Sequence, residues 1–159
     1  MGWWSGNIMG GDPPLDCIGF IAEYCGVKFD EDAKGEKISH FQMYPFTRKI
    51  VEDNVKGILD NIKNDPDWYD TNISTQVVGM LVMYYGAKFP RGAKSQIIQA
   101  AHDDEWAKDD GPNSERGKSI RNFVEQLYKY KPGQRYYQNT EGEFLNRTPN
   151  SVRFIVGVK

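Results

Sequence analysis

The densest group of ionisable side chains in this chain is His102-Asp103-Asp104-Glu105. Imidazole and carboxylate groups ligate metals and move protons. On one continuous helix, residues three apart share a face. His102 and Glu105 are then placed to reach one metal ion, with Asp12, Asp16 and His40 as further ligands. The order His-x-x-Glu reverses the Glu-x-x-His of helical di-iron sites. Without converging ligands the same residues are a solvated acidic helix end. Acids there oppose the helix dipole. That tension favours a cationic partner near Asp103, Asp104, Asp109 and Asp110.

A second group alternates cations with aromatics: Tyr128-Lys129-Tyr130-Lys131, Arg135-Tyr136-Tyr137, Phe144, Arg147 and Arg153-Phe154. Such a surface stacks bases and follows phosphates. The same alternation also arises when aromatics face a core and cations face water. A third group, Gly10-Gly11-Asp12, has the look of a phosphate cradle. Pro13 and Pro14 remove two N–H donors, and Asp12 puts a carboxylate where phosphate would sit. It reads as a helix start. Nucleophilic catalysis has little to draw on, because neither of the two histidines lies in a recognisable Ser or Cys context. The reading is non-enzymatic, with no cofactor.

Chemistry of this kind needs a scaffold, and the composition supplies a globular one. The 159 residues are 39% apolar and 26% charged, which excludes a disordered chain. No apolar run approaches the roughly 20 residues of a membrane span. The first residues lack a basic region and a long apolar core, so no secretory signal is expected. Cys17 and Cys25, on one helix, are about 12 Å apart and cannot bridge. Both read as buried thiols of a protein kept in the reducing cytoplasm.

Net charge is −2, but it is unevenly laid out. From Arg116 onward nine cations face three acids, giving +6; residues 1–115 carry eleven cations and nineteen acids, giving −8. An acidic body with a basic end is suited to a charged partner, or to a second copy of itself.

Five helices follow from apolar spacing and stop signals. The first covers about 13–25, with Asp12 as cap and Gly26 as stop; the second runs from Thr47 to Lys63. The third covers about 74–85, capped by Ser74 and closed by Gly86; the fourth runs from Pro90 to about Lys108, and the fifth from Ser114 to about Tyr130. Beyond Lys131-Pro132-Gly133, the pieces Arg135 to Tyr137, Glu143 to Leu145 and Val152 to Val158 predict a small hairpin.

The chain also resembles itself at an offset of 60 residues. Cys17 to Phe29 lies without a gap against Val77 to Phe89, with Gly19/Gly79, Tyr24/Tyr84, Gly26/Gly86, Lys28/Lys88 and Phe29/Phe89 identical. Ala33-Lys34 and Ala93-Lys94 extend the match. The expected architecture is one mainly α domain over 1–159. It is a duplicated helical bundle with halves at about 12–63 and 72–130, and a C-terminal β element at about 134–159. Outside the repeat stripe, Trp3, Trp4, Trp68, Tyr69 and Trp106 are core lids or interface anchors. Trp4 is expected to dock on the bundle.

The N-terminus resembles an uncharacterised family of small bacterial proteins that opens Met-Gly-x-Trp. An apolar residue, Asp, and a second Asp at a helix start then follow. Met1, Gly2, Trp4, Ile8, Asp12 and Asp16 stand in that register. Ser5, where the family usually has Gly, and the basic tail depart from it. The resemblance implies a mainly helical, cytosolic and non-catalytic protein with immunity-type or inhibitor-type binding.

Together these features predict a protein-binding module, such as an inhibitor, immunity or phage-type host-takeover protein. The expected contact residues are Trp4, Trp68, Tyr69, Asp103, Asp104, Trp106, Tyr128, Lys129, Lys131, Arg135 and Tyr136. A nucleic-acid or nucleotide binder using the basic tail is the first alternative, and a metal-dependent hydrolase around His102 the second.

Overall fold

The computed structural model describes residues 2–30, 44–68 and 70–146. Among these are helices α1 (Asp12–Cys25), α2 (Arg48–Asn64), α3 (Thr71–Tyr85), α4 (Ala93–His102), α5 (Glu105–Asp110) and α6 (Glu115–Lys129). Strands β1 (Tyr136–Gln138) and β2 (Phe144–Asn146) form one antiparallel hairpin. The mainly α architecture with a small hairpin is therefore the observed one. Tyr69, His40, Ala33-Lys34, Arg147 and the expected strand Val152 to Val158 lie outside the described residues.

Local chemistry sets most helix ends. Thr47, Asp70 and Ser114 each accept a hydrogen bond from the backbone N–H three residues on, at Ile50, Ile73 and Gly117. Each satisfies one of the orphan donors of a first turn. Two expected caps are corrected. Asp12 is the first helical residue of α1, and Gly11 holds the N-cap position. Ser74 lies inside α3, fully buried with its Oγ 3.1 Å from Cys17 Sγ. A cap at Asp70 was available one turn earlier, and the apolar content of α3 hid where its first turn begins.

The centre of the molecule is α3. Every residue from Ser74 to Tyr84 is buried, and the helix packs against α1, α2, α4 and β1. A helix apolar on all sides must be surrounded, and Val77, Val78, Leu81, Val82 and Met83 are. By contrast α2 and α6 are amphipathic. They bury one stripe each: Val51, Val55, Ile58, Leu59 and Ile62 on α2, Ile120, Phe123 and Leu127 on α6. The hairpin lies on α6 through Gln138 Nε2 to Ser119 Oγ (2.9 Å) and Asn122 Nδ2 to Gly142 O (2.9 Å). Tyr130 ends α6 and donates its hydroxyl to Ala87 O at 2.6 Å, and Gly133 N donates to Gly86 O at 2.9 Å. The ends of α3 and α6 are thus tied together.

The offset of 60 residues has a structural counterpart at the helix stops. Gly26 (φ 72°) and Gly86 (φ 70°) both adopt the left-handed conformation. In both places the next N–H returns to the equivalent carbonyl: Val27 N to Ala22 O at 2.8 Å, Ala87 N to Val82 O at 3.0 Å. This is the six-to-one bond of a glycine-stopped helix. The two helices then differ in depth. α1 buries one face, whereas α3 is enclosed.

Gly19 and Gly79 expose that difference. A Cβ at Gly79 would stand 2.8 Å from Ile97 Cγ2 and 2.9 Å from Phe123 Cζ; at Gly19 the nearest atom is Tyr44 OH at 3.5 Å. Gly19→Ala is expected to be neutral or to raise stability by up to about 1 kcal/mol through helix propensity. Gly79→Ala is expected to lower it by about 1–2 kcal/mol through overpacking. Urea unfolding of the two variants measures the contrast.

Candidate functional site

The expected fourth helix, Pro90 to Lys108, is interrupted. It stops at His102, and Asp104 caps a separate helix, α5, with Oδ1 accepting from Ala107 N at 2.8 Å. His102 and Glu105 therefore belong to different helices and do not share a helix face. Among the described residues no group of three or more metal-ligating side chains converges. The expected dipole conflict is relieved for Asp104, which with Glu105 stands at the N-terminus of a helix, where negative charge is favoured, and it persists for Asp103 at the end of α4 and for Asp109 and Asp110 at the end of α5.

The cation that Asp104 requires is internal. Arg116 on α6 has a side chain 0% exposed, and its Nη2 lies 2.7 Å from Asp104 Oδ2. All five guanidinium N–H donors find acceptors. Nε and Nη2 bond Asp104, Nη2 also bonds Gln76 Oε1 (3.1 Å), and Nη1 bonds Gly6 O (3.3 Å) and Asn7 O (3.2 Å). Gln76 Nε2 donates to Asp104 Oδ2 at 2.9 Å and completes the ring. The guanidinium carbon stands 5.0 Å from the Trp3 ring centre and 4.8 Å from that of Trp106. The two indoles meet edge to face at 4.9 Å.

The N-terminal segment is drawn into this knot. Trp3 bridges Gly11, and Trp4 N and Ser5 N both donate to Gly10 O. Ile8 is buried, Gly6 N donates to Glu115 Oε1 (2.6 Å), and Ile8 N donates to Gln138 Oε1 (3.0 Å). A Gly-rich stretch is thereby pinned onto α6 and the hairpin.

Beside the knot opens a cleft of about 590 Å³. Trp3, Trp106, the start of α3 (Asp70 to Ile73), Asp104 and Glu105 line it. Asp70 Oδ1 is occupied by Ile73 N, and Asp104 by Arg116. Glu105 forms no ion pair among the described residues. The cleft thus combines two indoles with a carboxylate, Glu105, that has no ion pair among the described residues, a chemistry suited to a cationic group.

The expected contact residues are scattered. Asp104 and Trp106 come together here, with Asp103 next to them, 3.9 Å from Lys108. Asp104 is corrected from surface contact to buried structural anion. Trp4 does not dock on the bundle: it is 60% exposed, and its neighbour Trp3 takes the docked position. Trp68 is buried, with its N–H on Asn61 Oδ1 at 2.8 Å. Tyr128, Lys129 and Lys131 are exposed at the end of α6, Lys129 paired with Glu125 at 2.9 Å. Arg135 is half-buried, and Tyr136 packs on Tyr130. Arg116, counted above as the first cation of the basic tail, belongs to the interior. Cys17 is buried and Cys25 half-buried, and burial pushes both thiols up to about 11, away from nucleophilic use.

No family model, no curated protein and no solved structure matches this chain.

Burial by itself would raise the pKa of Asp104. The hydrogen bond and charge of Arg116, with Gln76 and Ala107 N, outweigh it and hold the carboxyl below its ordinary value. A carboxylate lowered in this way stabilises the fold above its unfolded pKa. That contribution disappears as pH falls through the folded value. Arg116→Met should cost about 3–5 kcal/mol at pH 7 by leaving a buried charge alone. The wild type should lose stability below about pH 4, while the variant loses less there, since an unpaired buried carboxyl gains from protonation. Urea unfolding across pH 3–7 reads both effects, and Arg116→Lys should recover only part of the loss, for want of the planar fork.

Proposed function

We propose that the protein is a non-enzymatic protein-binding module whose Trp3–Trp106 cleft receives a Lys or Arg side chain of a partner protein. The carrying observation is the cleft itself, about 590 Å³, lined by two indoles and by Glu105 and Asp70. A cation over an indole gains roughly 0.5–2 kcal/mol. An adjacent carboxylate adds electrostatic steering of a basic partner toward the acidic body.

The interior of the protein supports this reading by analogy of chemistry. Arg116 is held by these indoles together with a carboxylate. The cleft repeats that combination on its open side. Recognition of one side chain fits an inhibitor or immunity role, in which affinity comes from an anchor in a pocket with a polar surround. The N-terminal register that resembles the uncharacterised bacterial family adds to it, because that register supplies the strap that sets Trp3 in place. No helix among the described residues is long and apolar enough to cross a membrane.

The reading is tested with short defined peptides. An Arg-containing peptide should shift the NMR signals of the Trp3 and Trp106 indoles, and its Glu counterpart should not. Glu105→Lys, an exposed change within about 0.5 kcal/mol of wild-type stability, should weaken the Arg peptide at least tenfold. Equal affinity for both peptides, or no effect of Glu105→Lys, would remove the cleft from function.

A further inference from the structure

A second concave surface lies between α1 and the end of α2. Phe20 and Tyr24 sit one turn apart on α1, each 43% exposed. Trp68, after α2, packs on Phe20 at 5.5 Å between ring centres. Glu23, Asp65 and Asp67 complete the lining of a groove of about 250 Å³. These carboxylates make no ion pair among the described residues, whereas the acids on the outer face of α2, Glu52, Asp53 and Asp60, each have a Lys or Arg four residues earlier. Gly19 and Asn61 stand four residues before Glu23 and Asp65, and Lys63, four before Asp67, makes no ion pair with it, so among the described residues the groove is anionic and aromatic.

The occupant this groove fits is in the same sequence. Residues 147–159 read Arg-Thr-Pro-Asn-Ser-Val-Arg-Phe-Ile-Val-Gly-Val-Lys: three cations, no acid, and a Phe beside the central Arg. We propose that the groove of α1 and α2 takes the C-terminal segment of a second copy of the chain. Arg147, Arg153 and Lys159 would meet Glu23, Asp65 and Asp67, and Phe154 the aromatic wall. The Trp3–Trp106 cleft is a poorer match. Asp104 there is neutralised from within and Asp70 caps a helix, so it suits one cation rather than three.

The alternative to a second molecule is the chain's own groove. Segment 147–159 leaves from the end of β2, and the hairpin packs on α6 and α3. The groove belongs to α1 and to the turn after α2. Thirteen residues extend at most about 45 Å, so reach alone does not decide, and the experiment is built to separate the two arrangements.

Sedimentation of the full chain should show reversible self-association that weakens at least tenfold between about 0.02 M and 0.5 M salt. Two full-length variants reverse one side each: Glu23→Lys with Asp67→Lys in the groove, and Arg147→Glu with Arg153→Glu and Lys159→Glu in the tail. Either alone should be monomeric. Their equimolar mixture should associate again, because every tail then meets a groove of opposite charge. Circular dichroism confirms that both are folded. Glu105→Lys should leave the association unchanged, which keeps this result separate from the cleft reading. A wild type that stays monomeric at low salt overturns the proposal. That is the outcome when each tail lies in its own groove; a mixture of the two variants that fails to associate overturns the proposal as well.

Discussion

A guanidinium taken fully out of water must meet a carboxylate and fill every N–H, and much of this architecture follows from that demand on Arg116. Unpaired, a buried charge costs several kcal/mol after relaxation. Asp104 supplies the counter-charge, which requires the chain to turn inward between α4 and α5. Gln76 of the central helix supplies one acceptor, and the strap supplies two carbonyls, Gly6 O and Asn7 O. One side chain on α6 thus holds α3, the α4–α5 junction and the N-terminus in register. Its planar, five-donor geometry explains why an ammonium would not serve equally.

The same network explains which parts of the structure were legible in the sequence. α1, α2 and α6 follow from apolar spacing bounded by caps and stops, and their observed ends differ from the expected ones by a residue or two. The α4–α5 break has no Pro or Gly to announce it. Its trace was the pair of acids placed against the dipole of a supposedly continuous helix. Arg116 was read by charge alone and assigned to the tail. Its position carried the contrary signal. Arg116, Ile120, Phe123 and Leu127 fall on one helical stripe, and all four are buried. Choosing between Trp3 and Trp4 was beyond the sequence, because adjacent identical residues in a Gly-rich strap have no periodicity to separate them.

The internal repeat shows how a local code and a tertiary role come apart. The glycine stop after residue 25 recurs after residue 85 with matching dihedral angles and the same returning N–H. Nothing in that motif specifies burial depth. α3 is enclosed because α4 and β1 cover faces that α1 leaves to solvent. Apolar Val78, Met80 and Met83 stand where α1 carries Ile18, Phe20 and Glu23, and the half-exposed Phe20 is the residue left over from that difference. A repeat unit placed at the edge keeps aromatic surface that its central counterpart buries.

Internal pairing also changes what the charge layout means. The Arg116–Asp104 pair removes one cation from the basic end and one acid from the body. The two regions then stand at +5 and −7 rather than +6 and −8. The polarity survives, and it is now a property of groups outside the buried pair. On the exposed helix faces the acids of α2 are matched by cations at i−4, and Glu125 is matched by Lys129. Such solvated pairs add little stability and little field. Of the carboxylates without an ion pair among the described residues, Glu105 lines one aromatic concavity and Glu23, Asp65 and Asp67 line the other, while Asp109, Glu141 and Glu143 stand elsewhere. That coincidence of open charge with open aromatic surface, rather than the net charge, is the feature that points to basic partners.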